Sequence, residues 1–331
     1  MAGLAGTLAG TVWNGDERRP RAPVRLAAAG AVLLVVGAVA ARLLAVATAP
    51  GRPLGVLLAV ADADTALLAL STVAGAVVVV VAAWLVAVGV DRRRFADYGL
   101  SGGPAWWRDA AFGAALGALL VTLVFLVEAA LGWVTVTGLL VDGDRLVGFA
   151  VAALVVFAAV SVSEELLVRG LLLTNLAEGL AGLGPFSGRA GTATAVALSS
   201  VAFGALHLGN PNATPVSTAV ISLAGVWLAL GYVLTGELAV PLGAHLGWNY
   251  ALGVVYGYPV SGVRLPASVV TTEQVGPPLA TGGAFGPEAG LLGVAAVLLG
   301  MAATAWWVVR NGGPLDVAPD VWTPELRWRG R

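Results

Sequence analysis

Apolar runs of about 20 residues recur along almost the whole of this chain, and that pattern leaves it few possible folds. In a hydrocarbon layer only a helix or a closed barrel satisfies its own backbone hydrogen bonds. Eight stretches are long enough to span as helices: 24–48, 66–90, 110–131, 146–176, 191–208, 216–234, 238–258 and 289–309. The expected fold is therefore all-α, a polytopic transmembrane helical bundle of about eight spans. Composition agrees, since 58% of the 331 residues are hydrophobic and only 11% are charged, against roughly 25% charged in soluble domains. Mean hydropathy is +0.89.

Cysteine is absent, which removes disulfides, thiolate metal sites and a cysteine nucleophile from consideration. Any metal would have to be held by histidine and carboxylate. A net charge of −1 gives no reason to expect nucleic acid as a partner, and the lipid bilayer is the evident one. No cleavable signal peptide is evident, because the N-terminal charges follow a weak apolar run and the first long span comes directly after them. The segment 16–21 (DERRPR) reads as a solvated tail with arginines at the membrane boundary.

Basic residues concentrate on the cytoplasmic side of membrane proteins. Arg18, Arg19, Arg21 and Arg25 precede or open the first span, Arg92, Arg93, Arg94 and Arg108 follow the second, and Arg310, Arg327, Arg329 and Arg331 follow the last. The other side holds little beyond Arg52, Arg145 and Arg264. Both termini are expected in the cytoplasm, with residues 1–23 and 310–331 as tails around a bundle at 24–309. Trp106, Trp107, Trp306 and Trp307 are expected as interfacial anchors. The connection 259–288 is rich in Gly, Pro and Thr and reads as an outward loop or lid. No internal repeat is present, which argues against a transporter built from symmetric halves.

Ionisable groups at membrane depth are costly and mark functional sites by default. The chain has two histidines, His207 and His245, and both lie in apolar stretches. Upstream, Glu164-Glu165-Leu-Leu-Val-Arg169 reads EExxxR. Residues four apart share a helix face, so Glu165 is expected to pair with Arg169 and Glu164 to stay free. Phe203 and His207 also stand four apart, as do His245 and Asn249. Glu164 and His207 lie about 15 and 18 residues from the turn between their helices, or ~22 and ~27 Å, whereas His245 lies only ~12 Å beyond its own turn. Convergence of all three requires the first helical hairpin to project further or to tilt. Glu128, in the third span, reads as a structural acid near the outer interface.

Together EExxxR, FxxxH and HxxxN, in this order on neighbouring spans, resemble the CPBP family of intramembrane proteases, the CAAX prenyl endopeptidase and bacteriocin-processing (Abi-type) group. The resemblance covers roughly 146–258. It implies a membrane-embedded endopeptidase acting on a peptide or a membrane-associated protein, with Glu164, His207, His245 and Asn249 catalytic and Glu165, Arg169 and Phe203 supporting.

Two mechanisms fit these residues. In one, Glu164, His207 and His245 hold Zn as a His₂Glu set with an open position for water. In the other no cofactor takes part: Glu164 and His207 activate water, and His245 and Asn249 stabilise the oxyanion. Ser161, Ser163, Ser199 and Ser200 are weaker candidates, because a serine nucleophile needs an aligned base. A transporter or ion pathway, and a non-catalytic immunity or scaffold protein, are the alternative readings of the same buried groups.

Overall fold

The computed structural model describes residues 12–49, 63–140 and 143–326; Arg52, Arg327, Arg329 and Arg331 lie outside them, as does the side chain of Arg145. The long helices are α1 (Ala22–Ala47), α2 (Ala63–Val86), α3 (Pro104–Ala130), α4 (Gly143–Glu165), α5 (Thr174–Leu180), α6 (Gly188–Leu206), α7 (Pro215–Thr235), α8 (Ala239–Tyr250) and, after the short turn α9 (Pro278–Thr281), α10 (Leu291–Arg310). Local sequence sets several of their starts. Proline opens α1, α3 and α7 at positions where a helix needs no N–H donor, and Thr214 and Ser217 cap α7 reciprocally. Leu166–Leu173 joins α4 to α5 as a π-helical stretch, and Ala251–Val255 continues α8 in the same way.

Among the described residues six helical segments are long and apolar enough to cross a membrane, the fourth running unbroken from Leu146 to Leu180. The fold is an all-α polytopic membrane bundle. The other two predicted spans, α6 and α8, fall short of that measure, and these are the helices that bring His207 and His245. Their composition follows from their position. Ten of the twelve residues of α8 are buried, so this helix faces protein on every side and has no lipid contact to demand hydropathy.

What α8 needs instead is room. Gly113 and Gly117 of α3 face Gly243 and Gly247 of α8, and the two backbones touch there: a Cβ on Gly117 would run into the Ala244 carbonyl, and one on Gly247 into that of Ala114. Both pairs have GxxxG spacing, the pattern that lets membrane helices approach closely.

The two ends of the bundle differ. At the end carrying residues 12–21 and Arg310, β1 (Trp13–Asn14) and β2 (Arg19–Pro20) form a small antiparallel hairpin. Arg19 is fully buried there and is not the solvated residue expected from sequence. Its guanidinium bonds Glu178 at 2.8 Å. Arg25 bonds the same carboxylate at 2.7 Å, and Arg93 joins them. Asp91 alongside accepts from Tyr98 at 2.7 Å and Asn175 at 3.0 Å. The tryptophan anchors gather at this end too, where Trp307 donates to Asp109 at 3.1 Å and stacks on Phe112.

At the opposite end β3 (Val134–Leu139) pairs antiparallel with β4 (Val270–Gln274), with an irregularity between Val136 and Gly138. The connection after α8 is thus folded back on the bundle as a built structure. Glu128 anchors it, accepting from Tyr258 at 2.8 Å and from Gln274. That acid is buried and structural, as its sequence position suggested.

Candidate active site

The EExxxR motif divides its two acids as helical spacing requires. Arg169 donates to Glu165 at 2.9 Å and to the Gly225 carbonyl at 3.0 Å, and both charged side chains are wholly buried. Glu164, on the neighbouring face, keeps 31% of its side-chain surface. Its Oε2 is buried and has no hydrogen-bond partner among the described residues. The π-helical stretch begins directly after this pair. Such departures from the α-helix cluster at functional sites, and nothing in the residue pattern announced it.

His245 reaches the same acids from α8. Its Nδ1 lies 2.9 Å from Glu165 Oε1, and its Nε2 lies 3.8 Å from Glu164 Oε2. The first is a hydrogen bond; the second is too long for one. The convergence that sequence spacing left open is met by projection of the first hairpin. Thr174 Oγ1 touches the Tyr232 hydroxyl at 2.8 Å, and Leu238 N–H bonds the Gly99 carbonyl beside Tyr232. The start of α8 is thereby level with Thr174, and α5 extends beyond it.

His207 stands at the C-cap of α6. Its Nδ1 lies 2.8 Å from the Phe203 carbonyl, which can only accept, so Nδ1 carries the proton and Nε2 offers a lone pair. Phe203 gathers the motifs around one ring. Arg169 lies over its face at 4.4 Å, and the His207 and His245 rings meet it edge-on at 4.9 and 6.0 Å between centroids.

Glu164, His207, His245 and Asn249 line one cavity of about 680 Å³, a size usual for ligand sites. Its apolar wall comes from α4, α7 and α10, with Phe149, Phe157, Ile221 and Trp227 prominent. Sequence reasoning missed the polar groups that the connection adds: Ser261, Arg264 and Glu288. Glu288 accepts from Trp248 Nε1 at 3.0 Å and from Ser261 N–H and Oγ–H, tying the connection to the helix of His245. Burial pushes its carboxyl above the ordinary value. The available signal was an acid directly before an apolar run.

Three zinc ligands must stand about 2.0–2.2 Å from one point. Among the described residues no group of three His, Asp or Glu side chains is so placed: Glu164 and His245 face each other, but His207 does not join them. As they stand, these side chains do not fit a His₂Glu zinc site. The serines fit a nucleophile no better. Ser161, Ser163 and Ser199 donate to carbonyls of their own helices, and Ser200, whose hydroxyl is buried without a partner among the described residues, is not among the residues that line the cavity.

A carboxylate, two imidazoles and an amide thus line one cavity of a multi-pass helical membrane protein. Residues 146–251 match the family model described as type II CAAX prenyl endopeptidase Rce1-like, and this stretch is an Rce1-like domain that contains every residue of the three motifs. That family is one of membrane proteases, and the match covers about a third of the chain. No curated protein and no solved structure matches the chain.

Proposed function

We propose that this chain is an intramembrane endopeptidase that cleaves its substrate with a water held between Glu164 and His207, and that both chain ends lie in the cytoplasm. The supporting observation is the Glu164 Oε2, without a hydrogen-bond partner among the described residues, facing His245 Nε2 at the wall of the cavity. A carboxylate oxygen with no committed partner at the cavity is suited to take a proton. Water attacks the scissile carbonyl carbon as its proton passes to Glu164, and His207 Nε2 orients it through its lone pair. The oxyanion accepts hydrogen bonds from His245 Nε2–H and the Asn249 amide. Collapse breaks the C–N bond while Glu164 returns the proton to the leaving amine.

The tautomers constrain this scheme. With Nδ1–H committed to Glu165, His245 donates at Nε2 only as an imidazolium, and the two flanking glutamates supply the counter-charge for that form. Glu165 and Arg169 are positioning residues that fix the ring. The aromatic wall suits the apolar segment of a membrane-associated peptide, as in CAAX-type or leader-peptide processing.

The test is cleavage of a peptide library by detergent-purified protein, wild type beside Glu164→Gln, with and without 1,10-phenanthroline. The expected result is cleavage that the substitution abolishes and the chelator leaves intact. Retained cleavage by a folded Glu164→Gln protein would sink the proposal, and sensitivity to chelator would replace the metal-free scheme.

A further inference from the structure

The family match ends at residue 251, but the cavity continues past it. Ser261 and Glu288, from the connection beyond α8, line the same space as His207 and Asn249. A hydrogen-bonded path joins the two sides through them. It starts on α8, where Trp248, the neighbour of Asn249, donates Nε1–H to Glu288 at 3.0 Å. The other oxygen of Glu288 accepts from the backbone N–H and the hydroxyl of Ser261. The Ser261 carbonyl in turn accepts from the Asn210 side chain at 3.0 Å, and the Asn210 N–H bonds the His207 carbonyl at 3.1 Å.

Two features set this path apart from ordinary loop packing. The first is backbone strain. Val260 and Val263 pair across a tight turn, and both of its central residues, Ser261 and Gly262, have positive φ, 47° and 85°. Glycine takes that conformation freely, and at Gly262 a Cβ would collide with the Pro211 carbonyl. For serine it is strained, and strained residues persist only where their surroundings over-determine them. Ser261 is fixed at its N–H, its hydroxyl and its carbonyl at once. The second feature is the choice of an acid. Three donors converge on Glu288, which is buried, and a glutamine there would turn an N–H toward one of them.

We infer that Ser261 and Glu288 are positioning residues of the active site, holding the turn after His207 in register with the helix that carries His245 and Asn249. The effect on rate rests on the endopeptidase reading; the mechanical link between the two histidine-bearing elements does not. In that reading the imidazole that orients water and the donors to the oxyanion act on one carbonyl group from separate helices, α6 and α8. A misplacement of about 1 Å between such groups can cost about 10²-fold in rate.

Glu288→Gln cuts the path near α8, and Asn210→Ala cuts it near His207 while leaving the carboxylate in place. With a peptide that the wild-type protein cleaves, each variant should lower kcat by about 10²-fold at unchanged KM. The double variant should be no slower than the slower single one, because both substitutions break one path. Wild-type kcat in Asn210→Ala, a change confined to KM, or losses that multiply in the double variant would overturn the inference. Asn210 is uncharged and only part-buried, so its variant carries the test if Glu288→Gln does not fold. A second readout needs no turnover. The chain has two histidines, so isotopic labelling of histidine nitrogen gives magnetic resonance signals from two imidazoles. The His207 ring signals should shift in folded Glu288→Gln, and unchanged signals would break the link. A protein that cleaves nothing yet shows this shift would count against the endopeptidase reading alone.

Discussion

Glu164 and Glu165 are adjacent in the chain and have opposite fates. Glu165 is spent on Arg169 and His245, while Glu164 keeps an unpartnered oxygen at the cavity. Replacing Glu164 by Gln should lower cleavage by at least about 10²-fold, the scale of general-base catalysis, with an unchanged melting profile in detergent. Asn249→Ala should lower kcat by about 10²–10³, as for loss of one oxyanion donor; a change confined to KM would show that the amide only binds substrate. Arg169→Met is a different experiment, because it leaves the buried Glu165 carboxylate with His245 as its one remaining partner, at a cost of up to about 3–5 kcal/mol. Denaturant unfolding should show that loss, and a variant as stable as wild type would mean that the pair is not held as described. The division of the acids was legible in the i, i+4 spacing of the motif. The cation lying over Phe203 was not, because the guanidinium and the ring come from different helices.

At the scale of the element, the contact of α3 with α8 positions His245 and Asn249. Gly113→Val or Gly117→Val would drive a side chain into the backbone of α8, and overpacking of this kind costs about 1–3 kcal/mol or more. The expected outcome is a lower melting temperature together with lost cleavage. Full activity in either variant would show that the helices can separate without disturbing the site. Hydropathy found every long helix and both short ones, but it overrated α6 and α8 as ordinary spans. Their small residues serve helix contact and not lipid contact, a distinction carried by the glycine spacing. The β3–β4 pairing escaped sequence reading because its strands lie more than 130 residues apart and β4 falls inside a Gly- and Pro-rich connection.

In the whole molecule, charge is buried at both ends. At the terminal end Glu178 holds Arg19, Arg25 and Arg93 together, so Glu178→Gln should leave three guanidinium groups short of a partner and release the β1–β2 hairpin. Limited trypsin digestion should then cut after Arg18 or Arg21 faster than in wild type; equal rates would mean that the hairpin is held by something else. In the connection before α10 the buried Glu288 carboxyl has a folded pKa above the ordinary 4.5. The folded protein binds that proton more tightly than the unfolded chain, so its contribution to stability is full below pH 4.5 and declines as pH rises through the folded value. Glu288→Gln removes this component, and melting curves at a series of pH values should show a shallower decline from pH 4.5 upward than wild type. Parallel declines would assign the pH dependence to other groups.

The sequence by itself determined that the chain is a helical membrane bundle and which of the two acids is paired. Each of these depends on hydropathy or on helical spacing, and both are local properties of the chain. Only the tertiary structure decided that His245 meets both glutamates and that Glu288 ties a distant connection to the helix of His245. Those facts depend on how far α5 projects beyond the start of α8 and on where glycine lets two backbones touch, which are relations between helices that no single stretch of sequence encodes.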